Sequence, residues 1–127
     1  MLIDPEDIAY AAAFIEADGC IQLTGVKVTN RCLEVLTWFE TTFGGQIRSK
    51  VVPEGCWEWT IHGEEAEVFI DLVYLSLKFK KPQADLFKVY RTTIQKRGTP
   101  LSSAVLNKRK ILSEKMSEEK ARWKSHT

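Results

Sequence analysis

A stripe of small residues near the N-terminus, followed at once by Asp18, is the part of the sequence best suited to chemistry. Residues spaced by three or four lie on one face of a helix, and a face without bulk lets a second backbone approach closely. We therefore predict that two copies of the chain pair along this stripe, so that two Asp18 carboxylates converge near the symmetry axis. The predicted dimer interface comprises Ala9, Ala12, Ala13, Glu16 and Ala17.

Two converging carboxylates favour a bound divalent cation. An acid in the last turn of a helix faces the negative end of the helix dipole, and each carboxylate disfavours ionisation of the other. A cation offsets both penalties, and Mg²⁺ prefers oxygen ligands. A metal held between carboxylates and a phosphate oxygen can activate water and stabilise a leaving oxygen. The alternative is an alanine helix that packs on a sheet and ends in an ordinary turn aspartate before Gly19.

The elements that would position Asp18 predict an α+β fold with an antiparallel sheet. Helical periodicity, capping residues and alternating strands define them. In chain order they are a helix from Asp4 to about residue 17, a hairpin over 20–24 and 26–29, a helix capped by Asn30 and ended by Gly44-Gly45, a hairpin over 46–52 and 57–62, helices over 64–75 and 83–94, and a helix from Ser102 or Ser103 to about 123. We predict a core over residues 1–98 and a C-terminal helical extension over 99–127.

Composition limits the partners and the location that we expect. The net charge is only +1, whereas dedicated DNA-binding proteins are usually strongly basic, so a DNA partner requires the charge to be segregated on one face. Three cysteines without paired spacing indicate reduced thiols rather than disulfides or zinc. No apolar run long enough for a membrane span and no secretory signal are present. We expect an intracellular protein of the cytoplasm, of a phage host or of an organelle.

The segment from Ala11 to Gly19 resembles the LAGLIDADG motif of homing endonucleases. Ala13 replaces a glycine of the motif by the next smallest residue, and Ala11 in place of leucine is the clearest departure. The elements that follow, including the run 77–84, resemble the family in order over roughly residues 8–120. The residues that match the motif letter for letter are Ala12, Ile15, Ala17, Asp18 and Gly19.

The resemblance implies a site-specific double-strand DNA endonuclease that depends on Mg²⁺, serves the homing of an intron or similar mobile element, and acts as a homodimer because the chain carries one motif. Asp18 would be the metal ligand and a catalytic residue. Lys80 would polarise the water network or the scissile phosphate, and Lys27 would contact the catalytic waters; for both, a solvated surface lysine is the alternative. Other functions stay open: a catalytically weakened DNA-binding or RNA maturase-like protein, with RNA as partner only in that case, or an unrelated interaction module.

The first hairpin is too short to read much DNA. Only about ten residues separate Gly19 from the helix after Asn30, so each strand spans less than about 17 Å at ~3.3 Å per residue. We therefore predict a short or permissive target, or an enzyme that has lost activity.

Polar residues of the second hairpin could read bases, or form an ordinary solvated face, and basic clusters could hold phosphates. The predicted DNA-binding residues are Gln46, Arg48, Lys50, Glu58, Thr60, Lys78 and Lys81, with further basic clusters at Lys96-Arg97 and Lys108-Arg109-Lys110.

Overall fold

A computed structural model describes residues 3–50, 53–95 and 98–124, with side chains described up to residue 122. It confirms the α+β class and the predicted order of elements. These are α1 (Pro5–Asp18), β1 (Gly19–Ile21), β2 (Gly25–Asn30), α2 (Leu33–Phe43), β3 (Gln46–Ser49), β4 (Trp57–His62), α3 (Gly63–Val73), a 3-10 turn (Tyr74–Ser76), α4 (Lys81–Arg91) and α5 (Ser103–Lys124).

The four strands form one antiparallel sheet in the order β1-β2-β4-β3. Side chains alternate between its two faces. The inner face carries Val26, Val28, Trp59 and Ile61, which are fully or almost fully buried with apolar residues of α1, α2 and α3. The residues between them form the outer face of the sheet.

Helix α1 begins as predicted. The Asp4 carboxylate accepts a hydrogen bond from the Glu6 backbone N–H at 2.8 Å, and a proline stands at the first helical turn. The helix buries one face in the core through Ala11, Ala12 and Ile15, all 0% exposed. The prediction of Ala12 at the dimer interface is therefore wrong, because its side chain faces the core of its own chain. The other three alanines of the stripe are exposed.

The first hairpin and the start of α2 differ from the prediction by a few residues. The turn lies over Leu23 and Thr24, where the Gln22 N–H donates to the Gly25 carbonyl at 2.7 Å. Gly25 opens β2, and a Cβ there would lie 2.1 Å from the Ile61 carbonyl oxygen, so the glycine serves close strand pairing. Asn30 does not cap α2 directly: its side chain accepts from the Cys32 N–H at 2.8 Å, an Asx turn that precedes the helix.

Helix α5 packs against α4 and is fixed there by specific contacts. Ser102 accepts a hydrogen bond from the Val105 N–H at 3.2 Å, as a cap. Arg109 donates to the Thr93 side chain and carbonyl at 2.9 and 3.0 Å and lies over the Tyr90 ring. This member of a predicted phosphate cluster therefore has a structural role, and Lys96-Arg97 lie outside the described residues.

None of the helices in the described part of the chain has the length and apolar character of a membrane-spanning segment.

Candidate active site

Glu16, in the last turn of α1, ties this helix to the segment that leads into α4. Its two carboxylate oxygens accept hydrogen bonds from the backbone N–H groups of residues 78, 79 and 80 at 2.7, 2.6 and 2.8 Å. These N–H groups lie at the start of α4, where a helix dipole stabilises negative charge. The Glu16 carboxylate, predicted at the dimer interface, thus has its strongest contacts within the chain.

Lys80 makes the reciprocal contact from the start of α4 to the end of α1. Its side chain is 5% exposed, and its ammonium donates to the carbonyls of Gly19 at 2.7 Å and Ile15 at 3.0 Å. The last turn of α1 has no basic residue of its own, so Lys80 supplies the positive charge that favours a helix C-terminus. The alternative of a solvated surface lysine is wrong.

The electrostatic surroundings of Lys80 are mixed. Burial lowers the pKa of Lys80, because the charged ammonium is removed from water. The neighbouring acidic groups of Cys20, Glu16 and Asp18 raise the pKa of Lys80 without cancelling this effect, and the ammonium of Lys120 lowers it further. The ammonium is thus a fixed and partly desolvated cation, and it gives up its proton more readily than an ordinary lysine.

Asp18 and Lys80 line the same cleft, of about 400 Å³, as their predicted roles require. The Asp18 side chain is exposed and makes no hydrogen bond or ion pair with the residues that the structure describes. Its carboxylate is available to a ligand. Three further side chains line the cleft and were not singled out from the sequence as site residues: Cys20, Gln83 and Lys120.

Lys27 lies beside this cleft rather than in its lining. It is half-buried on the outer face of β2, directly across the strands from Cys20. The third predicted catalytic residue is therefore separated from Asp18 and Lys80 by one strand.

The outer face of the second hairpin carries the predicted DNA-binding residues. Gln46 and Arg48 are exposed, while Lys50 and Glu58 form an ion pair at 3.2 Å. Thr60 is only 5% exposed, since it lies on a central strand between Lys27 and Gln46. The prediction that Thr60 offers an accessible contact to DNA is wrong, because its side chain is buried.

The two predicted phosphate-binding lysines near α4 have different surroundings. Lys78 is exposed. Lys81 is half-buried, with its ammonium 5.4 Å from the centre of the Tyr74 ring, a cation–π contact that leaves the charge partly accessible.

Charge is segregated in spite of the low net value. The outer sheet face and the adjoining end of β3 carry three basic residues, Lys27, Arg48 and Lys50, against one acid, Glu58. A groove between the start of α1 and α2 has three acids and no base in its lining, the acids being Glu6, Asp7 and Glu34. The sheet face is therefore more basic than the composition indicates.

The exposed alanines of α1 form the floor of a second cleft, which we call the alanine groove. It has a volume of about 660 Å³ and is lined by Ala9, Ala13, Glu16, Ala17, Ser76, Lys78 and Phe79. Phe79 is 61% exposed and Leu75, close to it in the chain, is 86% exposed. Such a concentration of exposed apolar side chains is typical of an interaction surface.

Replacing Glu16 by glutamine is expected to destabilise the fold. The amide nitrogen cannot accept a hydrogen bond, so at least one N–H before α4 loses its charged acceptor, at a cost of about 2–3 kcal/mol in the free energy of unfolding. Urea unfolding of Glu16→Gln and the wild type at one protein concentration measures the difference. The matched control is Glu40→Gln, on the exposed side of α2, which is expected to change stability by less than about 0.5 kcal/mol. Equal effects of the two changes would contradict the structural role of Glu16.

Comparison with known proteins gives a match at the level of structure. At the level of sequence, neither a protein-family model nor a curated protein matches the chain. The homing endonuclease I-CvuI, solved with its target in the presence of 2 mM Ca, superposes with a TM-score of 0.77 at 20% identity over 91% of this chain and 82% of that one. The same enzyme with an I-CreI target in 2 mM Mg, where the DNA was not cleaved, gives 0.75 at 21% identity over 90% and 82%.

An archaeal intron-encoded homing endonuclease, I-Vdi141I, solved in complex with DNA, gives a TM-score of 0.76 at 19% identity over 90% of this chain and 84% of that one. Each of the three matches covers at least 90% of this chain. The chain therefore has the LAGLIDADG homing endonuclease fold.

Proposed function

We propose that the protein is a divalent-metal-dependent endonuclease that cleaves double-stranded DNA as a homodimer. The observation that carries the proposal is the position of Asp18. Its carboxylate makes no hydrogen bond or ion pair with the described residues, shares a cleft with the buried cation Lys80, and ends the helix that carries the alanine groove. An active site at the edge of a self-pairing surface accounts for all three features.

The donor set fits Mg²⁺ only when two copies contribute to it. Within the described residues, no group of three or more His, Cys, Asp or Glu side chains could hold a metal ion. Among the described residues that line the cleft, one copy offers one carboxylate, that of Asp18, and a second copy paired along the alanine groove would bring the second Asp18 beside it. Carboxylate and phosphate oxygens are hard ligands of the kind that Mg²⁺ prefers. When bound, the ion would supply an activated water and neutralise charge on the leaving oxygen.

Lys80 contributes a cation that is already in place before DNA binds. Two carbonyl groups hold its ammonium beside Asp18, so no side-chain freedom is lost when a phosphate arrives. A fixed positive charge in a partly desolvated site stabilises negative charge that develops on a phosphate oxygen. Because its pKa is lowered, Lys80 can also donate a proton to a nearby water or oxygen more readily than a surface lysine.

The outer face of the sheet is the proposed DNA-binding surface. Gln46 and Arg48 are exposed there and suit purine edges in the major groove, and Lys27 brings further positive charge toward the cleft. The first hairpin contributes little reading surface, because β1 has only 3 residues. We propose a short or permissive target, within a mobile element such as an intron.

The test uses a plasmid library with randomised inserts, incubated with Mg²⁺ or with excess chelator. The proposal expects linear products with Mg²⁺ and a loss of cleavage of more than about a hundredfold with chelator. The cut sequences are expected to have two-fold symmetry, because a homodimer reads both half-sites alike. Cleavage that persists in chelator would contradict it. Binding without cleavage in every divalent metal would support the second candidate, a catalytically weakened DNA-binding or RNA maturase-like protein, which the short β1 favours.

A further inference from the structure

The C-terminal helix α5 contributes a side chain to the candidate active site. Leu112, Met116 and Lys120 are spaced by four residues and lie on one face of α5. The first two are each 5% exposed, so this face is the one that packs onto the rest of the chain. Lys120 follows one turn later, is half-buried, and lines the cleft that holds Asp18 and Lys80.

The ammonium of Lys120 has no polar partner of opposite charge among the described residues. It makes no hydrogen bond or ion pair with residues 3–50, 53–95 or 98–122. It also lies close enough to Lys80 to lower the pKa of that lysine. Two ammonium groups in one cleft repel each other, and a half-buried lysine loses side-chain freedom. An anion bound between them would convert this repulsion into attraction.

A further cleft, which we call the hairpin groove, shares Lys120 with the cleft around Asp18. It has a volume of about 370 Å³ and lies between the turn of the first hairpin and α5. Its lining contains no acidic residue and is mostly polar: Gln22, Leu23, Thr24, Ser113, Met116, Ser117 and Lys120. Hydroxyl, amide and ammonium groups are the side chains that contact sugar-phosphate backbones.

We infer that Lys120 contacts a backbone phosphate of the bound DNA strand next to the Asp18 centre, and that the hairpin groove receives the adjoining sugar-phosphate of the same strand. This inference rests on the proposed function and assigns to α5 a direct part in substrate binding. Lys120 is a binding and positioning residue, since it holds the strand whose phosphate the Asp18 centre attacks.

The first test compares Lys120→Gln with Lys115→Gln in binding to a labelled random-sequence DNA duplex over a range of salt concentrations. Lys115 is the matched control because it lies on the same helix and is exposed. Each copy in the proposed homodimer loses one phosphate contact, so the slope of log Kd against log salt concentration is expected to fall by about two for Lys120→Gln. Lys115→Gln is expected to keep the wild-type slope, and Lys120→Arg is expected to restore it.

The second test needs no variant and therefore does not depend on how a substitution folds. Wild-type protein is acylated at its lysines with and without the duplex, and each site is quantified by mass spectrometry. DNA is expected to protect Lys120 severalfold and to leave Lys115 reactive. An unchanged salt slope together with unprotected Lys120 would overturn the role of Lys120 and leave the endonuclease proposal intact. A wild-type protein without any salt-dependent DNA binding would overturn both.

Discussion

Replacing Asp18 by asparagine is expected to abolish DNA cleavage while DNA binding and dimerisation persist. Asparagine has nearly the same shape but no charge, so the shared centre loses both negative ligands while the fold is retained. The rate is expected to fall by more than about a hundredfold, which is the upper range for removal of an outer-shell partner of a metal. Single-turnover cleavage of the target selected from the library measures the rate, and the duplex binding assay measures affinity.

The matched control for this change is Asp71→Asn. Asp71 is an exposed acid on α3 that forms a surface ion pair with Lys88 at 3.5 Å, and such pairs contribute little to stability. Its replacement is expected to leave the cleavage rate within about twofold of the wild type, since it removes the same charge away from the cleft. An Asp18→Asn protein that still cleaves at the wild-type rate would remove Asp18 from the mechanism.

Replacing Ala13 by glutamate is expected to separate the dimer and to remove cleavage with it. Ala13 is exposed at the floor of the alanine groove, so each copy would bring a bulky charge against the other. We expect the dimer Kd to rise by about thirtyfold or more, corresponding to ~2 kcal/mol for a residue at the centre of an interface. Analytical ultracentrifugation over a range of concentrations measures the Kd, and circular dichroism verifies that the chain stays folded.

The control for the alanine groove is Ala104→Glu, because Ala104 is an exposed alanine on α5. It is expected to leave both the dimer and the cleavage rate unchanged. A wild-type protein that stays monomeric at micromolar concentration, or an Ala13→Glu dimer as tight as the wild type, would show that the groove is not the self-association surface.

Local patterns predicted the elements and the placement of Asp18. Asp4 and Pro5 mark the start of α1, and alternation along the second hairpin separates the inner from the outer sheet face. The errors are local as well. Ala12 was assigned to the stripe because residue spacing alone does not show which side of a row of alanines faces the core. Asn30 was predicted as a helix cap because an Asx turn uses the same side chain in a similar way.

Contacts between distant parts of the chain could not be predicted in this way. The hydrogen bonds that Glu16 accepts span 62 to 64 residues, and only the fold brings those backbone N–H groups to the end of α1. Lys80 was predicted from a resemblance, but its burial and its two carbonyl partners follow from that same long-range packing. Lys120 was missed because α5 looked like a separate extension; the four-residue spacing from Leu112 and Met116 was the available signal.

The most direct test of a centre shared by two Asp18 residues mixes equal amounts of wild-type protein and Asp18→Asn, allows the subunits to exchange, and measures strand scission of a supercoiled plasmid that carries the target. If both carboxylates serve each cut, only wild-type homodimers act. Total scission then falls to about one quarter of that of wild-type protein alone at the same total concentration, because about one quarter of the dimers are wild-type homodimers. Nicked circles do not accumulate. Scission near one half with accumulating nicked circles would contradict the shared centre, because each Asp18 would then cut one strand alone.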